Sequence, residues 1–256
     1  MIKIRLRFSK TGPLRFIGHL NFLKVFQQTI RRAGLPVAYS QGFNPHMQLS
    51  FALPLPLGMT SNSDYADLTL EREMPGEELV SRFNTQAPGG LHLIDAWETI
   101  GPGAAALVTV ADYYFSMEMP ESVNTDMIAI INKAEEIVQP LLNQKSIIIP
   151  KKTKSGINNT DIRPDIFGIY AGAGQYSQPD ETGKSYIYSP CQASIRMFLA
   201  AGSGRFLNPL IVAKLILGHD IDTSSITRHE LYHYTSNKPF DPLDKELIPL
   251  YETPIH

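Results

Sequence analysis

One cysteine, Cys191, stands in the whole chain of 256 residues. A single thiol excludes an internal disulfide framework and fits a reducing compartment. It also excludes an iron–sulfur cluster ligated by this chain alone, because such clusters need several thiolates. Long apolar runs are missing too: none approaches the roughly 20 residues that span a bilayer. The N-terminus alternates apolar and basic residues, unlike the continuous apolar stretch of a secretory signal. Cytoplasmic residence with no membrane attachment is the expectation. The third absence is of negative charge at the front. The first acidic residue is Asp64, and before it come Lys3, Arg5, Arg7, Lys10, Arg15, Lys24, Arg31 and Arg32. The formal net charge of −2, from 23 basic and 25 acidic residues, conceals this, since residues 64–256 carry 15 basic and 25 acidic groups. A basic front on an acidic remainder points to a surface that meets anions.

What is present reads as a globular α+β protein. Hydrophobic content of 43% supports a full core. Ile2 to Ser9 alternates strictly, with Ile2, Ile4, Leu6 and Phe8 on one face and Lys3, Arg5, Arg7 and Ser9 on the other, which predicts a strand. A turn at Thr11-Gly12-Pro13 precedes a helix from His19 to Arg32, whose apolar stripe is Leu20, Leu23, Phe26 (with Phe22) and Ile30, stopped by Gly34 and Pro36. Extended segments follow at 37–40, 47–53 and 65–70, then a helix over 76–85 and a strand over 91–99. Residues 1–102 thus spell β-α-β-β-α-β, the ferredoxin-like order. Gly101-Pro102-Gly103-Ala104 reads as a linker.

The same order recurs over residues 103–256. A strand is expected at 113–118 and a helix at 126–142, with Ile130, Ile131, Ala134, Ile137, Val138 and Leu141 as its stripe. Extended pieces follow at 146–149 and 162–170, then a loop insertion over 171–184 and a strand at 194–199. A helix over 210–217, entered through the cap Asn208-Pro209, precedes a last strand at 226–234. The fold class expected is two tandem ferredoxin-like domains with antiparallel sheets, the second half repeating the first in element order alone.

In such a domain the helices cover one sheet face, leaving Lys3, Arg5 and Arg7 on the other. Rows of cations on an open sheet suit phosphates, and neighbouring aromatics stack bases; the alternative is a solvated face, or ion pairs with carboxylates such as Asp67 on a neighbouring strand. The loop Ser40-Gln41-Gly42-Phe43-Asn44-Pro45-His46 offers Asn44 and His46 to an anion or to proton transfer, or is a hairpin loop capping its own backbone. Lys151-Lys152-Thr153-Lys154 with Arg163 forms a second basic cluster, which extends the anion surface or is a solvated loop. Gly202-Ser203-Gly204-Arg205 leads into a helix entry but lacks phosphate-loop spacing.

His229-Glu230-Leu231-Tyr232-His233 matches the zinc-protease pattern, but Ile226 to Thr235 alternates as a strand, where positions four apart lie about 13 Å from each other. No metal site is expected. Cys191 has no visible partner and reads as a small buried residue. No Ser/His/Asp signature or paired-carboxylate motif stands out.

The run Phe8-Ser9-Lys10-Thr11-Gly12-Pro13-Leu14-Arg15-Phe16-Ile17-Gly18-His19-Leu20 resembles the opening of the radical SAM-linked protein family, a domain of unknown function. Arg31 to His46 and Leu49 to Gly58 resemble it as well. The similarity returns in Lys152 to Gly156, Asp161 to Pro164, Gly202-Ser203, Asn208-Pro209 and Arg228 to Pro242. Asn21 departs from the family's usual Asp, and Phe206-Leu207 from its usual Asn-Leu-Arg; in the family the His229 to His233 stretch reads more like Arg-x-Glu-Leu-Tyr, which makes the two histidines incidental. The resemblance implies a radical SAM protein as partner, encoded beside or fused to such chains and carrying the iron–sulfur cluster, S-adenosylmethionine and often cobalamin, with translation-related genes nearby. This chain lacks the three cysteines of that catalyst, so it is expected to be a non-catalytic accessory subunit that binds and presents RNA or a translation-related substrate. The residues expected to carry binding are Arg5, Arg7, Lys10, Arg15, His19, Arg31, Asn44, His46, Lys152, Lys154 and Arg163. Two alternatives stand beside it: an endoribonuclease-like enzyme using His19 or His46, and a docking module whose basic surface meets an acidic patch on the partner.

Overall fold

The structure, a computed structural model, describes residues 1–119, 126–153, 156–173, 175–176, 186–187, 192–202, 204–235, 242 and 246–252. Cys191, Lys154, Ser203 and most of the expected insertion at 171–184 lie outside these.

The first half runs β1 (Ile2–Lys10), α1 (His19–Arg32), β2 (Leu49–Phe51), β3 (Thr60–Leu70), α2 (Gly76–Gln86) and β4 (Leu91–Glu98). A short 3-10 helix, Gly12–Phe16, follows β1. The strands lie in the order β4-β1-β3-β2, all antiparallel. Val37 and Tyr39, expected in a strand, make only isolated bridges to Leu70 and Met47. Ile4, Leu6 and Phe8 pack under Phe22, Phe26 and Ile30 of α1 and Leu79 and Phe83 of α2. Phe8, Phe22, Phe26 and Phe51 meet edge to face or tilted, with centroids 5.1–6.0 Å apart, each buried ring contributing about 2 kcal/mol. Leu20 does not join them and is 72% exposed. Two helical residues subtend about 200°, so Leu20 faces away from Phe22 and shares the outer stripe with Lys24.

The second half runs α3 (Ala104–Leu107), β5 (Val110–Glu118), α4 (Met127–Leu142), β6 (Ile148–Thr153), β7 (Gly156–Asp161), β8 (Ile166–Ala173), β9 (Gln175–Tyr176), β10 (Tyr186–Ile187), β11 (Gln192–Ala200), α5 (Pro209–Leu217), β12 (Thr227–Tyr234) and β13 (Leu247–Pro249). Its main strands lie in the order β12-β5-β11-β8. β6 and β7 form a separate hairpin, as do β9 and β10. Ile130, Ala134, Val138 and Leu141 of α4 and Val212, Ala213 and Ile216 of α5 bury the face of β5 that carries Ala111, Tyr113 and Phe115. The Asn208 side chain caps α5 by accepting from the Leu210 N–H.

The halves do not have separate sheets. β12 lies between β3 and β5, pairing parallel to β3 at Thr227–Thr60 and Arg228–Ser61 and antiparallel to β5. β2 occupies the same edge of β3 further along, at Leu68 to Ala66. One nine-stranded, mostly antiparallel sheet results. Cross-strand partners share a face. Asp64 is the partner of Phe8, and Arg228 that of Tyr113. Since Asp64 meets Arg228, both helix layers cover the same side.

Candidate anion-binding face

The helix-free side carries Lys3, Arg5, Arg7 and Ser9 of β1, as their alternation requires. It is not open. The segment expected to be a linker crosses it. Lys3 Nζ donates to the Gly101 carbonyl at 2.8 Å and Arg5 Nη2 to the Pro102 carbonyl at 3.1 Å, while the Ala104 N–H donates to Asp67 Oδ2 at 2.7 Å. Arg5 is 2% exposed and its Nε donates to Asp67 Oδ1 at 2.9 Å. The ion-pair alternative therefore describes Arg5: its charge is spent on holding the crossing segment, and it is not presented to a ligand.

On either side of this ridge the face sinks into a depression of about 320 Å³. One is lined by Lys3, His46, Gln48, Ser50 and Asp67. The other is lined by Arg7, Ser9, Asn62, His92 and His229. Arg7 is held from three sides: Nε donates to Ser63 Oγ at 2.8 Å, Nη2 to Glu230 Oε2 at 2.9 Å, and the guanidinium lies 4.3 Å from the Tyr251 ring centre. Glu230 also accepts from the Tyr65 hydroxyl at 2.7 Å. Burial pushes the Glu230 carboxyl up to about 7 against the pull of Arg7. Burial, then Arg196 and Arg7, hold His229 down to about 4, so its ring is uncharged at neutral pH.

Lys10 departs from the expected surface. Two positions after Phe8, it falls on the helix side by the alternation of β1. There it is 2% exposed, donates to the Ile17 carbonyl at 3.2 Å and lies 4.8 Å from the Phe22 ring centre. Burial lowers its pKa, with Asp64 opposing. His19 stacks edge-on to Phe51 at 5.6 Å. Lys10, His19 and Asp64 line a cavity of only about 10 Å³, room for a single water at most. Arg15 is half-buried over Phe16, its carbonyl accepting from the Gly58 N–H.

Arg163 is structural. Its guanidinium donates to the carbonyls of Leu142, Gln144 and Ile166, closing the end of α4 and the start of β8. Lys152 sits in β6 of the separate hairpin, and Lys154 falls outside the described residues. Arg31 and Asn44 are exposed, as is His46. The Ser40 hydroxyl accepts from the His46 N–H at 3.1 Å and lies 2.7 Å from His46 Nδ1. The expected residues are thus dispersed over both sides of the sheet, with His19 and His46 in different surroundings.

His229 and His233 stand on strand β12, as the alternation indicated. His229 contacts the Tyr114 ring and His233 Nδ1 meets the Leu107 carbonyl. Asn62 and His92 were missed by sequence reasoning. Their signal is register alone: His92 is the cross-strand partner of Ser9.

No helix among the described residues is long and apolar enough to cross a membrane. No curated protein matches this chain. Residues 3–209 match a family described as an uncharacterized protein conserved in bacteria, DUF2344, spanning both halves of the sheet and both depressions except for the wall supplied by β12. The chain belongs to the DUF2344 family.

Proposed function

We propose that this chain is a non-catalytic, substrate-binding partner of a radical SAM enzyme, and that it holds RNA along its first half. One observation carries the RNA reading. Asp64 and Asp67, the only carboxylates before Glu71, are 5% and 8% exposed and committed to Arg228 and Arg5. The charge that residues 1–70 expose is therefore entirely positive.

The outer stripe of α1 concentrates it. Leu20, Lys24, Gln28, Arg31 and Arg32 are all exposed, and Lys24, Arg31 and Arg32 enter no ion pair among the described residues. Such a stripe meets a phosphate backbone without reading sequence. Phe43, fully exposed on the Gln41 to His46 loop, offers a ring for stacking a base. The two halves, each with strand order 4-1-3-2, are read as paired ferredoxin-like units. The motif resemblance supports the radical SAM partner, which would supply the cluster, S-adenosylmethionine and cobalamin.

Binding of a single-stranded RNA to the purified chain should weaken linearly with log salt. Replacing Lys24, Arg31 and Arg32 with Ala should reduce that slope by about 2. An unchanged slope and affinity would sink the surface. Co-purification from cytoplasm should recover RNA together with a radical SAM protein. Recovery of the protein without RNA would make the surface a protein dock, with exposed Phe16, Leu20 and Leu57 as its apolar anchors.

A further inference from the structure

The depression between β1, β3, β4 and β12 differs from its neighbour in one chemical respect. The Lys3 depression includes the Asp67 carboxylate, an obligatory acceptor. Among the described residues no carboxylate lines the Arg7 groove, the Glu230 carboxylate that pairs with Arg7 being buried. Its polar wall is a guanidinium, the hydroxyls of Ser9 and Ser63, a carboxamide and two imidazoles, with Ser63 already donating to the Tyr65 hydroxyl and Asn62 Nδ2 to that of Tyr114. Four strands supply these groups, from both halves of the sheet.

We infer that this groove binds a phosphomonoester, with Arg7 as its fixed charge and Ser9, Asn62, His92 and His229 as surrounding donors. Arg7 is already locked by Ser63, Glu230 and the Tyr251 ring, so a ligand orders little on arrival. Its Nη1, the Ser9 hydroxyl and the His92 ring make no hydrogen bond among the described residues, which leaves donors unspent. Ser9 is 8% exposed and forms part of the floor, His92 is exposed at the rim, and they are cross-strand partners. A tetrahedral oxyanion with three terminal oxygens matches a fixed guanidinium flanked by side chains that can each donate to it. The volume, at the lower end of the range for small-molecule sites, also admits the sugar esterified to it. The phosphate can belong to a free nucleotide or to the end of a polynucleotide. The groove lies on the opposite side of the sheet from α1, so this inference does not depend on the basic stripe.

The test uses the full chain and the imidazole NMR signals of its histidines. Adenosine 5′-monophosphate and inorganic phosphate should shift His92 and His229 saturably, and adenosine should not. His92→Ala with Ser9→Ala should weaken adenosine 5′-monophosphate by about tenfold or more without lowering the melting temperature, because His92 is exposed and Ser9→Ala leaves no clash. A 5′-phosphorylated oligonucleotide that outcompetes its 5′-hydroxyl counterpart and also the mononucleotide assigns the phosphate to a polynucleotide end. Binding of the mononucleotide with no gain from the oligonucleotide assigns it to a free nucleotide. Equal shifts by adenosine, or shifts that survive in the double variant, would overturn the site. The α1 triple variant should retain mononucleotide binding whatever happens to its RNA affinity, which separates this inference from the RNA reading.

Discussion

Arg228 and Asp64, 164 positions apart, meet inside the seam between the halves: Arg228 Nε donates to Asp64 Oδ1 at 2.8 Å, with the guanidinium 0% exposed. Nη2 also donates to the Leu53 carbonyl at 2.9 Å, and Tyr113 lies beside the pair. A buried pair of this kind is costly to break because the survivor stays charged and without water. Arg228→Met should therefore destabilise the protein by about 3–5 kcal/mol in urea unfolding. Combining it with Asp64→Leu should recover part of the loss. A double variant worse than the sum of the single changes would contradict the seam's being held by that charge pair.

Glu230 makes stability fall with rising pH. Its folded pKa of about 7 exceeds the ordinary 4.5, so the folded state keeps a proton that the unfolded state has released. Its contribution is full below about pH 4.5 and lost as pH rises through about 7, by an amount of order 1–3 kcal/mol. Asp112, pushed up to about 6 by burial, adds a slope of the same sign at lower pH. His229, held down to about 4, adds the opposite slope between about 4 and 6.5. Comparison with Glu230→Gln isolates the one group. From pH 5 to 7.5 the native urea midpoint should fall relative to that of the variant. A rise would show that Arg7 outweighs burial.

Arg163 belongs to folding. Arg163→Ala releases three carbonyls, two at the end of α4 and one at the start of β8, and should cost about 2 kcal/mol or more. RNA affinity of the folded fraction should not change, in contrast to the α1 variants.

Gly90 sets the approach of β4 to the turn after β1. It has φ +90°, and its carbonyl accepts from the Thr11 N–H at 2.7 Å. A Cβ there would stand 2.4 Å from the Thr11 carbonyl oxygen. Gly90→Ala should cost more than about 1 kcal/mol and lower the melting temperature, from backbone strain and overlap together.

The sequence by itself determined the elements that rest on local periodicity and capping. The alternation of Ile2 to Ser9, the helix ended by Gly34 and Pro36, the stripe of α4 and the Asn208 cap can all be read along the chain, because each depends on neighbours within about four residues. The strand character of His229 to His233 was legible for the same reason. Tertiary structure decided where the charges went. Whether Arg5 faces solvent depends on a segment about a hundred positions away laying Pro102 across it. Alternation alone puts Lys10 on the helix side, but that it is buried there depends on the Ile17 carbonyl and the Phe22 ring meeting it. The parallel contact of β12 with β3, which merges two expected sheets into one, leaves no local pattern. Neither does the meeting of Arg7, Ser9, Asn62, His92 and His229 around one groove, since side chains from four strands converge only when register, strand order and the path of the connection are all set.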